Sequence, residues 1–74
     1  MALIKRFTQA RMDRNSVHQP VDCTYTVFAD DRGTRYLQLD TYGSKERKLT
    51  GKKSQSIQLG PEALAQLRTI LESV

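Results

Sequence analysis

The tripeptide Gly60-Pro61-Glu62 constrains this chain more than any other feature. Proline has no N–H to donate, and its φ is preset for the first helical turn, where that N–H would go unpaired anyway. Glu62 adds a carboxylate at the positive end of the helix dipole. From there Leu64, Leu67, Leu71 and Val74 recur at three- and four-residue spacing, with Ala63 and Ile70 beside that stripe. Gln66, Arg68, Thr69, Glu72 and Ser73 occupy the other side. The period is helical. A helix with one apolar side must lay it against another layer, so the rest of the chain has to supply a sheet.

The upstream sequence has the periods of strands. Val21 to Phe28 is rich in β-branched and aromatic residues, and Asp30-Asp31-Arg32-Gly33 has turn chemistry, with Gly33 free to take positive φ. Tyr36 to Tyr42 alternates, with Leu37, Leu39 and Thr41 on one face and Tyr36, Gln38, Asp40 and Tyr42 on the other. The two runs predict a β-hairpin. Ser54 to Leu59 predicts a further strand, with Gln55, Ile57 and Leu59 on one face and Ser54, Ser56 and Gln58 on the other. The expected fold is α+β: an antiparallel sheet of three to four strands, polar on one face, with the C-terminal amphipathic helix packed on the other. Residues 1–20 form an N-terminal segment in which Leu3, Ile4 and Phe7 predict a short strand, while Asn15-Ser16 and Gln19-Pro20 predict a loop. Residues 21–74 hold the hairpin, a basic loop, the last strand and the helix.

A chain of 74 residues buries only a small core. Domains of this size often draw extra stability from disulfides, a metal or a partner subunit. Cys23 is the only cysteine and His18 the only histidine, which rules out an intrachain disulfide and a zinc site of four Cys and His ligands. Self-association is what remains, and a homodimer is expected. The N-terminal run MALIKRFTQARMD lacks the apolar core of a signal peptide, and no stretch is long enough to cross a bilayer. With one unpaired cysteine, the cytoplasm is the expected compartment, and no membrane partner is expected.

The formal charge of +4 is unevenly spread. Residues 1–18 carry +3, residues 19–43 carry −2, residues 44–53 carry +4 and the tail carries −1. The peak is the segment with Ser44, Lys45, Arg47, Lys48, Lys52 and Lys53 set against Glu46, with Gly43 and Gly51 and the hydroxyls of Thr50 and Ser54 around them. Such a loop can track a phosphate backbone, because its cations displace condensed counterions while hydroxyls and N–H groups add hydrogen bonds. The same composition also fits a solvated hairpin loop kept soluble by its charge. Beside it, the polar sheet face offers Tyr36 and Tyr42, with Gln38, Asp40, Ser56 and Gln58. Exposed rings near a basic loop suit single-stranded nucleic acid, since any base can stack on a ring. Equally, a tyrosine there, Tyr36 above all, can pack against a loop, the N-terminus or a second subunit.

Other chemistries fit poorly. Gly51-Lys52-Lys53-Ser54 lacks the upstream glycine and the downstream helix of a phosphate-binding P-loop. Cys23 and His18 are a nominal nucleophile and base, but Cys23 opens an apolar strand, where a buried, inert thiol is expected. Asp30 and Asp31 are turn formers. No set of nucleophile, base and oxyanion donor assembles, so no enzymatic activity, cofactor or metal is expected.

The order of hairpin, basic stretch, strand and helix carries a resemblance. Gly51-Lys52-Lys53, Ile57-Gln58-Leu59, and Pro61-Glu62 followed by Leu64, Leu67 and Ile70 match a pattern of Gly-Lys-Lys/Arg, Ile-x-Leu and a Pro-Glu-started helix. Residues from about Thr24 to Val74 thus resemble the single-stranded DNA-binding domain of the transcriptional positive cofactor four family. The resemblance implies a four-stranded sheet, a dimer formed through the C-terminal helices, and a channel for single-stranded or melted DNA. It assigns phosphate contacts to Lys52 and Lys53 and to the preceding Lys45, Arg47 and Lys48, and it sets Tyr42 near a family aromatic. Ser54 and Gln55 are two residues beyond the family spacing, Gly60 replaces the usual cap, and the N-terminal segment has no counterpart. The phrases Thr41-Tyr42-Gly43-Ser44 and Gly51-Lys52-Lys53-Ser54-Gln55 are also similar to short bacterial proteins labelled methionyl-tRNA formyltransferase-like, although the chain lacks the Asn-His-Asp set and the length of that enzyme. The expected function is therefore nucleic-acid binding, single strands preferred, in transcription or DNA transactions. The alternative is a protein-interaction or inhibitor module, phage- or plasmid-borne, that docks an acidic partner through the loop or a sheet edge.

Overall fold

The computed structural model describes residues 1–43 and 53–74. Its elements are β1 (Ala2–Ile4), β2 (Asp22–Ala29), β3 (Arg35–Tyr42), β4 (Gln55–Leu59) and α1 (Pro61–Leu71). The strands form one four-stranded mixed sheet in the order β1-β4-β3-β2, and the fold is α+β as its periods predict.

The hairpin forms where turn chemistry places it. Asp30 Oδ1 accepts hydrogen bonds from the backbone N–H groups of Arg32 (2.9 Å) and Thr34 (3.0 Å), and its Oδ2 accepts from the Tyr36 hydroxyl at 3.2 Å. Burial pushes the Asp30 carboxyl up, but these donors outweigh it and hold the group below its ordinary value. Gly33 takes φ +81°, a conformation that a Cβ disfavours. β2 and β3 then pair without interruption from Asp22↔Tyr42 to Ala29↔Arg35. β4 continues the antiparallel arrangement on the other side of β3, from Thr41↔Gln55 to Leu37↔Leu59.

The N-terminal strand departs from the expected antiparallel sheet. β1 runs parallel to β4, with Ala2↔Ile57, Leu3↔Gln58 and Ile4↔Leu59. A tight turn enforces antiparallel pairing only between strands that follow one another, and the whole hairpin lies between these two. Past β1 the chain meets the helix. Gln66 Oε1 accepts from the Phe7 N–H at 2.7 Å, while Gln66 Nε2 donates to the Phe7 carbonyl at 3.1 Å. One side-chain amide thus replaces a neighbouring strand at Phe7, so residues of the N-terminal segment join both the sheet and the helix.

Register assigns the faces, because paired residues point the same way. Tyr25, Val27, Leu37, Leu39, Ile57, Leu59, Ala2 and Ile4 share the helix side. The core there is small: among the described residues only Leu59 and Ala63 are buried apolar side chains. Leu37, Leu39, Ile57, Leu64 and Leu67 are half-buried. The apolar stripe of the helix reaches the sheet only in its first half, and Ile70 and Leu71 are exposed. β2 is exposed along its entire length, Cys23 included, which corrects the expectation of a buried thiol: no element of the described residues covers this edge strand. No helix among the described residues is long and apolar enough to cross a membrane.

Candidate nucleic-acid interface

The opposite face of the sheet is built on β3. Alternation turns Tyr36, Gln38, Asp40 and Tyr42 to this side, and pairing brings Phe28, Thr26, Thr24 and Asp22 beside them from β2. β4 adds Gln58 opposite Gln38 and Ser56 opposite Asp40.

At one end the rings of Phe28 and Tyr36 stack, with centroids 5.6 Å apart and planes 22° from parallel. Tyr36 is thus tied into the sheet by a ring contact and by its bond to Asp30, the packing role open to it in the sequence.

A polar network fills the middle. Gln58 Nε2 donates to Gln38 Oε1 at 2.9 Å, and Gln38 Nε2 donates to Asp40 Oδ1 at 3.0 Å. The Ser56 hydroxyl also donates to Asp40 Oδ1, and Lys53 Nζ lies 3.3 Å from Asp40 Oδ2. Asp40 is only 3% exposed, the one buried polar residue among those described. A buried carboxylate needs donors on both oxygens, and this one has them. The Ser56 hydrogen bond holds its carboxyl below the ordinary value; burial opposes this, and Gln38 and Lys53 reinforce it. At the far end the Tyr42 hydroxyl and Thr24 Oγ1 are 3.2 Å apart.

Of the residues singled out from the sequence, Tyr42, Lys53 and Gln58 come together on this face. Ser44, Lys45, Arg47, Lys48 and Lys52 lie outside the described residues. The strand ends that flank them are held together, because the Ser54 N–H donates to the Thr41 carbonyl at 2.7 Å. Gln58 is a link in the network, its amide nitrogen directed at Gln38. Sequence reasoning missed one member and the burial of another. Phe28 has the parity to share the face of Tyr36, which the hairpin register would have revealed. Asp40 had the right parity but gave no sign of burial, because the groups that close over it come from β4 and Lys53.

Among the described residues no cluster of three or more His, Cys, Asp or Glu gathers to hold a metal ion. What the face offers is the ring pair of Phe28 on β2 and Tyr36 on β3, a further tyrosine at the end of β3 and a lysine just before β4, with a network of hydrogen-bonded amides on β3 and β4 between them. Comparison with known proteins finds no matching family, no similar curated protein and no similar solved structure.

Proposed function

We propose that this protein binds single-stranded nucleic acid with little sequence specificity, on the polar face of the sheet and the basic segment beside it, and that it acts in transcription or DNA transactions. One observation carries the reading: Tyr42 and Lys53 both flank Asp40 at the end of β3 where the basic segment 44–52 departs and returns. That segment holds Lys45, Arg47, Lys48 and Lys52 against Glu46, three of the four net positive charges of the chain. The cations neutralise phosphates, and Tyr42 offers a base a ring to stack on, while the Phe28–Tyr36 pair extends the aromatic surface along the same face.

Counterion release makes the reading quantitative. If Lys45, Arg47, Lys48, Lys52 and Lys53 each meet one phosphate, log K falls against log salt with a slope of about −3.5 for a single strand. Titration of a fluorescently labelled single-stranded oligonucleotide over a range of salt measures that slope. The double variant Lys52→Ala, Lys53→Ala weakens binding to all sequences alike and flattens the slope by about 1.4. Absence of binding to single-stranded DNA and RNA at low salt would overturn the proposal.

A further inference from the structure

We propose that two copies of this chain pair through their β2 strands, edge to edge and antiparallel about a two-fold axis, to form one continuous eight-stranded sheet. The two edges of the sheet differ in kind. Natural sheet edges are kept from pairing by shortness, lysines, prolines, bulges or a covering element. β1 has such protection: it is three residues long and runs straight into Lys5 and Arg6. β2 has none. It is eight residues long, contains no proline, lysine or arginine, and keeps unbroken register with β3, so no bulge turns it aside. All eight residues are exposed, and beyond them the outward N–H and C=O groups face no strand of the described residues.

The side chains favour a second copy as the occupant. On the helix side of β2, Tyr25 is 74% and Val27 50% exposed, next to the half-buried Leu39 and Leu37. In a two-fold antiparallel pair, residues opposite one another share a face, so Tyr25 and Val27 of one copy meet the same apolar pair of the other. The strip they form lies in the valley between the two helices.

The dimer through the helices that the family resemblance implies would use a different surface: Leu64 and Leu67 are half-buried, and Ile70, Leu71 and Val74 stay exposed at the end of the chain.

Sedimentation analysis over a range of protein concentration tests the pairing. The wild-type chain sediments as a dimer of the 8.4 kDa protomer, and its β2 amides exchange more slowly as the dimer fills. Val27→Lys and Tyr25→Lys set like charges against each other across the axis and raise the dimer dissociation constant by on the order of a hundredfold. Both positions are exposed in the protomer, so an unchanged circular dichroism spectrum is expected to confirm folding. Leu71→Lys leaves the dimer intact. A wild-type chain that stays monomeric overturns the proposal and makes β2 an edge for a foreign strand. A dimer that resists Val27→Lys but is lost in Leu71→Lys overturns it in favour of the helices. Nucleic-acid binding has a separate readout, so either proposal can fail alone.

Discussion

Lys53 Nζ lies 3.3 Å from Asp40 Oδ2, so the last cation of the basic run is moored to the one buried carboxylate among the described residues. The pair joins the basic segment to the middle of the sheet. It also means that Lys53 meets a phosphate only in competition with Asp40. Replacing Asp40 by asparagine frees that cation and removes a negative charge from the binding face. Asp40→Asn is therefore expected to tighten binding of a single-stranded oligonucleotide severalfold at low salt while leaving the salt slope near that of the wild type, since the number of phosphate contacts is unchanged, read in the same titration.

The same substitution has an opposite effect on stability, and pH reveals it. The carboxyl of Asp40 sits below its ordinary value in the fold, held there by the Ser56 hydroxyl against burial, with Gln38 and Lys53 adding to the effect. A lowered folded value contributes stability that is fully present above the unfolded value of about 3.9 and is lost as pH falls through the folded value. Urea midpoints of the wild type drop across that acid window. The drop is shallower in Asp40→Asn but does not vanish, since Asp30 is lowered too and adds its own acid dependence.

Gly33 isolates a purely backbone effect. Its φ is +81°, and a Cβ built there meets nothing within 4 Å, so alanine would suffer strain without a clash. Gly33→Ala should cost about 1 kcal/mol in denaturant unfolding, and Gly33→Asn less, because asparagine tolerates the left-handed region better.

Gln66 is predicted to hold the N-terminal segment on the helix. Gln66→Ala removes both bonds to Phe7, each worth about 1 kcal/mol, and Gln66→Glu keeps an acceptor but loses the donor. Hydrogen exchange at the Phe7 amide should accelerate strongly in the alanine variant and only modestly in the glutamate one.

Tyr42 separates stacking from hydrogen bonding. Tyr42→Phe loses the contact with Thr24 and keeps the ring, so binding should change little. Tyr42→Ala should weaken single-strand binding by about 1–3 kcal/mol, the usual value of one stacked base. Equal losses in both variants would assign the hydroxyl, and not the ring, to binding.

What the sequence determined by itself was local. The period of residues 36–42 assigned every side chain of β3 to its face, Asp30 to Gly33 specified the turn, and Gly60-Pro61-Glu62 marked where the helix begins. Each depends on groups a few residues apart, so a strand period, a left-handed glycine or a proline acts wherever the chain folds. The parallel seat of β1, the burial of Asp40 and the bare β2 edge depend on which element lies next to which, and only the tertiary structure decided them. A helix about 10 Å across spans roughly two strands at their spacing of about 4.8 Å. With α1 packed against β3, β2 lies at the margin of its reach, and Cys23, expected from the sequence to be buried, stands with Tyr25 and Val27 at an exposed edge.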